Sequence, residues 1–309
     1  MIVNVVICTY SRYDLLDQAL ASVLAQSLPP NDFQLTVIDN SPDATRSREM
    51  SHRWRGTPRL LWHHSAVPGL SRARNLCLEA TTAPLVAFID DDAIADEDWL
   101  SHLVAAFEQL GPRAHAIGGR VRPRFDQPRP AWLSDDMLAY LSVCDLGEET
   151  RFIRPEEWVV GANLCYRTAA VKEAGGFDVA LGRVGGGAAL MSNDETDVRD
   201  RLSARGGMTG YCPGAQVEHR VIPDRLRQSW FRKRIAWQAV SDYVGAQDAM
   251  QAGAVGAWDR TKRFLAGCAP ADRTLRGLAL AHTDQAMFAA QMRATYDAVH
   301  AILAGLHEE

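Results

Sequence analysis

The sequence predicts an α/β protein: a mostly parallel sheet with helices on both faces, followed by a helical extension. Three observations predict it. Short β-rich apolar runs alternate with longer helical patterns through the first part of the chain, each run ends where a polar or acidic group begins, and the last part turns wholly helical. Strands are expected at 2–8, 34–39, 59–63, 84–90 and 115–121. The segments between them near 13–26, 70–80 and 97–110 are amphipathic. In the first, Leu15, Leu16, Ala19, Leu20, Val23 and Leu24 fall three or four apart. Ligands of open α/β sheets bind at the carboxyl ends of the strands, so the polar loops after these runs are where function is sought.

Residues 122–157 are rich in Pro, Trp, Asp and Arg without a sustained period and read as an irregular excursion over that face. Order returns with a strand over 158–166, a short helix over 169–174 stopped by Gly175 and Gly176, and a mobile glycine-rich loop over 183–187. From about Asp224 the pattern is helical, ending in an Ala-rich amphipathic segment over 272–306.

Composition limits the functional classes. With 309 residues, 47% hydrophobic and 23% charged, the chain can bury one large core or two smaller ones, which excludes global disorder. A formal charge of −5 argues against nucleic acid as a partner, because wrapping it needs a net basic surface. The six cysteines form no C-x-x-C, so reduced thiols are expected rather than a zinc knuckle. The apolar N-terminus is short and lacks a basic region, and no stretch reaches the roughly 18 apolar residues of a spanning helix. A cytoplasmic protein is expected, with the option of resting on a membrane face.

Asp90, Asp91 and Asp92 directly follow an apolar run. Adjacent carboxylates at a strand end repel unless a cation lies between them, and hard oxygen donors suit Mg²⁺ or Mn²⁺ shared with a diphosphate. The plainer reading is an acidic strand-to-helix turn in which Asp96 and Asp98 serve the next helix. Thr9 and Arg12 after the first strand, and Asp39 after the second, are placed to approach a base, a ribose or phosphates. Equally, Ser11 suits a helix N-cap and 40–43 a turn. Residues 68–75 open a helix whose amides and arginines suit phosphate. Asp194 and Glu195 start another helix after the glycine loop, either as dipole complements or as a general-base site. His219 ends a strand, as a structural imidazole or a metal ligand.

In this order the motifs resemble the family 2 glycosyltransferases, an inverting group with the GT-A fold. The resemblance rests on residues 8–12, 37–41, 69–75, 90–92, 161–163, 175–178 and 193–197 and covers residues 1 to about 225. It implies a transferase domain over 1–225, with a nucleotide-binding half at about 1–121 and an acceptor half at about 122–225, and a helical extension over 226–309. It also implies roles. Asp39 contacts the nucleobase with Thr9 nearby, Asp90 the ribose or donor sugar, and Arg72 the nucleotide; Tyr10, Arg12, Asn75 and Asp91 stand in the same blocks and join the nucleotide-sugar site. Asp92 holds Mn²⁺ or Mg²⁺, with His219 as a further ligand. The family's usual Glu-Asp pair is inverted to Asp194-Glu195, which makes Glu195 the base by position and Asp194 its competitor.

The expected activity is single transfer from a nucleotide-sugar donor, UDP-linked, to a hydroxyl-bearing sugar, lipid-linked or small-molecule acceptor. The segment 225–234 carries five basic residues and two aromatics. It could clamp a leaving diphosphate, rest on an anionic bilayer, or be a solvated helix face with its aromatics in the core. Two alternatives stand beside the transferase: a haloacid-dehalogenase-type phosphohydrolase with Asp90 as nucleophile and Lys172 as its lysine, and a non-catalytic nucleotide-sugar or carbohydrate-binding protein.

Overall fold

The structure, a computed structural model, describes residues 1–186, 189–245 and 256–305. Its strands are β1 (Val3–Thr9), β2 (Phe33–Asp39), β3 (Leu60–His64), β4 (Leu85–Ile89), β5 (Ala93–Ala95), β6 (Ala114–Phe125), β7 (Arg151–Phe152), β8 (Asn163–Arg167) and β9 (Met208–Val221). The helices are α1 (Tyr13–Leu24), α2 (Ala44–Arg53), α3 (Leu70–Ala80), α4 (Trp99–Leu110), α5 (Thr168–Glu173), α6 (Asp194–Ala204), α7 (Gln228–Gly245), α8 (Ala257–Ala266) and α9 (Gln285–Gly305).

The described strands form one sheet in the order β3-β2-β1-β4-β8-β6-β9-β5, with β7 added on β9. β3, β2, β1 and β4 run parallel, whereas β8 pairs antiparallel with both β4 and β6, and β5 antiparallel with β9. The two-residue period of a strand sorts its side chains between the faces. Val3, Val5 and Ile7 of β1 and Leu85, Ala87 and Ile89 of β4 pack with α1 and α4, while Val6, Val86 and Phe88 pack with α3 and α6. Burial on both faces explains why these strands read as continuous apolar runs.

Two compact units divide the chain. The first comprises residues 1–124, 142–188 and 194–220; the second comprises 125–141, 189–193 and 221–309. The second unit takes in pieces on either side of the boundary expected at 225/226. It is held by α7 against α9 and by an edge-to-face cluster of Trp132, Phe231 and Phe288 with ring centroids 4.7–6.3 Å apart. No described helix is long and apolar enough to cross a membrane.

Several local expectations are corrected. The strand expected over 158–166 begins only at Asn163, and the first strand of the 122–157 excursion is β6 running on to Phe125. The helix expected over 272–306 begins at Gln285, after two short 3-10 turns, and Leu306 lies outside the described residues. Ser11 is not the α1 cap: Arg12 holds that position, and Ser11 takes a φ of 55° with its N–H donated to Ser41 Oγ. Asp98 stands at the N-cap of α4 as an N-terminal acid, but its carboxylate makes no capping bond and accepts from Ser27, while Asp96 accepts from Gln216.

Candidate active site

Because β1, β2 and β4 are parallel and in register, Thr9, Asp39 and the acids after Ile89 emerge at one edge of the sheet. Thr9 Oγ1 donates to Asp91 at 2.7 Å, and the Arg12 guanidinium spans the next two acids, 2.9 Å from Asp91 and in a short contact with Asp92. Burial pushes the Asp91 carboxyl up to about 7, with Arg12 pulling the other way and Asp92 and Asp90 adding to the push. β9 delivers His219 opposite Ala93, so its buried Nε2 lies 3.2 Å from Asp92 and 3.8 Å from Asp90.

One ligand atom from each of Asp90, Asp92 and His219 lies within 4.8 Å of the others. Two carboxylates and an imidazole suit Mn²⁺ or Mg²⁺. The local charge agrees: the Arg12 guanidinium contacts Asp91 and Asp92 and also feels the charge of Asp90. Nε2, which faces both carboxylates at 3.2 and 3.8 Å, is the imidazole nitrogen a cation between them would meet. These residues fit the metal the sequence suggests.

Asp39 is fully buried at the end of β2. Its two oxygens accept from the Tyr13 hydroxyl at 2.8 Å and from the Ser41 N–H and hydroxyl at 3.0 and 2.5 Å. Both oxygens are thus engaged inside the protein, although Asp39 stands beside the Thr9 loop as expected. Arg72 lies on the exposed side of α3. Asn75 grips both backbone groups of Phe177 at 2.8 Å, so its amide holds a turn. Tyr10 lies by the glycine loop, where a Cβ on Gly185 or Gly186 would sit 3.6 Å from it. That loop is tied to α3 by Leu70 N–H to Arg183 O at 2.8 Å and Ser71 Oγ to Leu181 O at 2.7 Å, and its residue Gly187 lies outside the described residues.

The sequence reading grouped Arg74 with the phosphate-suited arginines of 68–75 and missed its pairing with the α6 acids. Arg74 is 2% exposed, donates to Asp194 at 2.5 Å, lies 3.4 Å from Glu195 and stacks over Phe88 and Phe177. The signal was present: Ala73, Arg74, Cys77 and Leu78 form the buried stripe of α3, and a charge on such a stripe requires a partner. Asp90 lies close enough to act electrostatically on Arg74, which relates the two acid clusters.

The adjacent acids on α6 have opposite characters. Burial first, then the Glu195 charge, pushes Asp194 up to about 8 against the pull of Arg74. Burial also favours neutral Glu195, but Arg74 and hydrogen bonding from Asp194 outweigh it and hold Glu195 below the usual glutamate value. Burial around the pair thus disfavours a second negative charge, Asp194 being pushed toward its neutral form and Glu195 held toward its charged form, and Glu195 is the more exposed, its side chain 23% accessible against 3%. Two glycines make room for them. A Cβ at Gly161 would meet Glu195 Oε1 at 1.8 Å, and one at Gly182, whose φ is +81°, would meet Ser71 Oγ at 2.6 Å and Asp194 Cγ at 3.1 Å.

Lys172, the lysine of the phosphohydrolase alternative, donates to Thr81 O at 2.9 Å, near the start of β4 and away from the acids that follow its end. That alternative therefore lacks its cation. In the second unit, Arg232 and Arg234 of the 225–234 segment bond to Leu280 O at 3.2 Å and Gln238 at 2.8 Å, Arg227 pairs with Asp224, and Phe231 is fully buried.

The model of the family described as Glycosyl transferase family 2 matches residues 4–167. A glucosyl-dolichyl phosphate glucuronosyltransferase of Haloferax volcanii is 30% identical over 251 residues, spanning 79% of this chain and 77% of that protein. Among solved structures, the mannosyltransferase PcManGT of Pyrobaculum calidifontis, in complex with GDP-Man and Mn²⁺, is similar at a TM-score of 0.62 and 18% identity, covering 97% of this chain and 86% of that one. S. aureus TarS 1–349 in complex with UDP gives a TM-score of 0.55 at 15% identity, covering 97% and 90%. The expected GT-A fold is thereby borne out.

Proposed function

The chain belongs to glycosyl transferase family 2, and from that premise we propose an inverting, metal-dependent, non-processive transfer of a sugar from a UDP-linked donor to an acceptor hydroxyl. The observation that carries this reading is the meeting of buried Arg74 with Asp194 and the more exposed Glu195, in the same unit as a second acid cluster at the sheet edge. The structures of two fold neighbours with UDP, and with GDP-Man and Mn²⁺, support a nucleotide donor and a metal.

Glu195, ionised by Arg74 and open on one side, accepts the acceptor proton. The freed oxygen pair forms the new bond to the anomeric carbon from the face opposite the diphosphate, whose bond to that carbon breaks with its electron pair. The anomeric configuration inverts in this single displacement, with no covalent enzyme intermediate. Asp194 keeps its proton and donates to Glu195, which orients the base. Asp90, Asp92 and His219 would hold Mn²⁺ or Mg²⁺, and the bound ion supplies charge that offsets the departing phosphates. Arg12, bridging Asp91 and Asp92, sets the charge of that corner.

Thermal melts with UDP- and GDP-sugars, each with Mn²⁺ or Mg²⁺, test the donor side. A ligand at 100 times its Kd adds about 2.7 kcal/mol to native stability. A UDP-sugar with Mn²⁺ should raise the melting temperature, and NMR of the product should show an inverted anomeric centre. No stabilisation by any nucleotide-sugar would overturn the donor assignment, and a retained configuration would overturn the displacement.

A further inference from the structure

Residues 175–178 stand out in the sequence as a Gly-Gly-Phe-Asp run, and the reaction proposed above gives them no part. In the structure they follow α5 directly, and the two glycines end that helix. The Gly175 N–H donates to Lys172 O and the Gly176 N–H to Val171 O, both at 2.9 Å, a closure that takes left-handed residues; their φ values are 95° and 73°. A Cβ on Gly176 would meet Asn75 Oδ1 at 2.7 Å, so the second glycine also makes room for a side chain of α3.

Both helices of the arginine and acid cluster grip this turn. Asn75, next to Arg74 on α3, donates from Nδ2 to Phe177 O and accepts from the Phe177 N–H, each at 2.8 Å. Arg201 on α6 donates to Gly176 O at 2.6 Å and, in a short contact, to Ala174 O, while Asp197 holds the same guanidinium through Nε at 3.1 Å. Phe177 is 2% exposed, and Arg74 lies over its ring at 5.1 Å from the centroid. Since α5 is already closed by its own backbone bonds, neither Asn75 nor Arg201 is needed to end it.

Arg201 follows Asp194 by seven positions, so the two share one face of α6 and stand about 10 Å apart along its axis. An ion pair made by a long, many-rotamer side chain leaves two helices free to slide and pivot about it. A second junction two turns away removes that freedom. We infer that the 174–177 turn is a bracket between α3 and α6, and that Asn75 and Arg201 are positioning residues that act through it to hold Arg74 in register with Asp194 and Glu195. The consequence for turnover rests on Glu195 being the base; the register of Arg74 does not.

The test follows the guanidinium N–H resonances of Arg74 by NMR in the full chain, assigned by their loss in Arg74→Met, beside calorimetry of UDP with Mn²⁺. In Asn75→Ala and in Arg201→Gln the Arg74 protons should exchange roughly tenfold faster while the backbone amides of β1 keep their rates. Turnover of the nucleotide-sugar that stabilises the native chain, followed as UDP release, should fall by roughly 10²-fold with UDP affinity unchanged. Arg201→Lys keeps the charge and can still reach a carbonyl, so it should restore part of both. Arg201 is half-exposed, so its variants carry the test even where Asn75→Ala does not fold. Unchanged Arg74 resonances, or equal acceleration of the β1 amides, would overturn the bracket and leave the turn as the end of α5. Weakened UDP binding by Asn75→Ala would return Asn75 to the donor site. Normal turnover by Glu195→Gln, with Arg74 still responding to Asn75→Ala, would refute the base and leave the bracket standing.

Discussion

Arg74 is the residue on which the site turns, because it is buried with a full charge and two acids share it. Removing one partner of such a cluster costs about 3–5 kcal/mol, so Arg74→Met should lower the melting temperature sharply and raise the pH at which activity appears, as Glu195 loses the cation that keeps it ionised. Asp194 makes a pH prediction of known sign. Its folded-state value, about 8, lies above the ordinary aspartate value of 3.8, so its stabilising contribution is complete below the latter and is lost as pH rises through the former. Asparagine is neutral throughout. The melting temperature of Asp194→Asn relative to wild type should therefore climb between pH 4 and pH 8; a flat difference would show that Asp194 is ionised in the native state. At this scale the acids were legible as residues, since Asp90 to Asp92, Asp194 and Glu195 stand in recognisable runs. Their partners were not. Tyr13 on Asp39 and Arg74 on Asp194 are separated by 26 and 120 positions, and only the folded chain brings them together.

Elements explain how the acids are presented. α6 begins at Asp194, so both acids sit in a first turn, but Arg74 from α3 and the open backbone at Gly161 give them their chemistry. Gly161→Ala should push Glu195 aside while leaving the Asp92 corner intact. A misplacement of about 1 Å can cost on the order of 10²-fold, so turnover should fall by that order with nucleotide affinity unchanged; equal loss of both would place Gly161 in the donor site. Arg232 and Arg234 make an opposing prediction for the basic segment. Each bonds within the second unit, so replacing either with Gln should cost about 1–3 kcal/mol of stability, measured by melting. The parallel strands β1, β2 and β4 and the helix α3 were readable from period and composition. α2 was not, because only Ser47 of its ten residues is buried and its start looked like a turn, though Asp43 there accepts from Thr45 and Arg46 amides. β9 was seen only at its end, since Gly210, Pro213 and Gly214 interrupt any strand pattern over its 14 residues.

At the scale of the molecule, the family and its fold follow from the order of the motifs, and the proposed chemistry rests on one acid cluster at the sheet edge and another at the start of α6. Asp92→Ala should abolish Mn²⁺-dependent UDP binding by calorimetry, because Asp92 joins the candidate metal set and the diphosphate keeps its charge; wild-type affinity would put the cation elsewhere. The central claim, that Glu195 and not its neighbour takes the proton, is tested most directly by comparing Glu195→Gln with Asp194→Asn for nucleotide binding and for sugar transfer. Gln cannot accept a proton, so transfer should fall by roughly 10² to 10⁴ while UDP-sugar affinity persists. Asn still donates to Glu195 as protonated Asp194 does, so that variant should keep more activity. The reverse ranking would assign the base to Asp194, and near-normal transfer in both variants would contradict the mechanism.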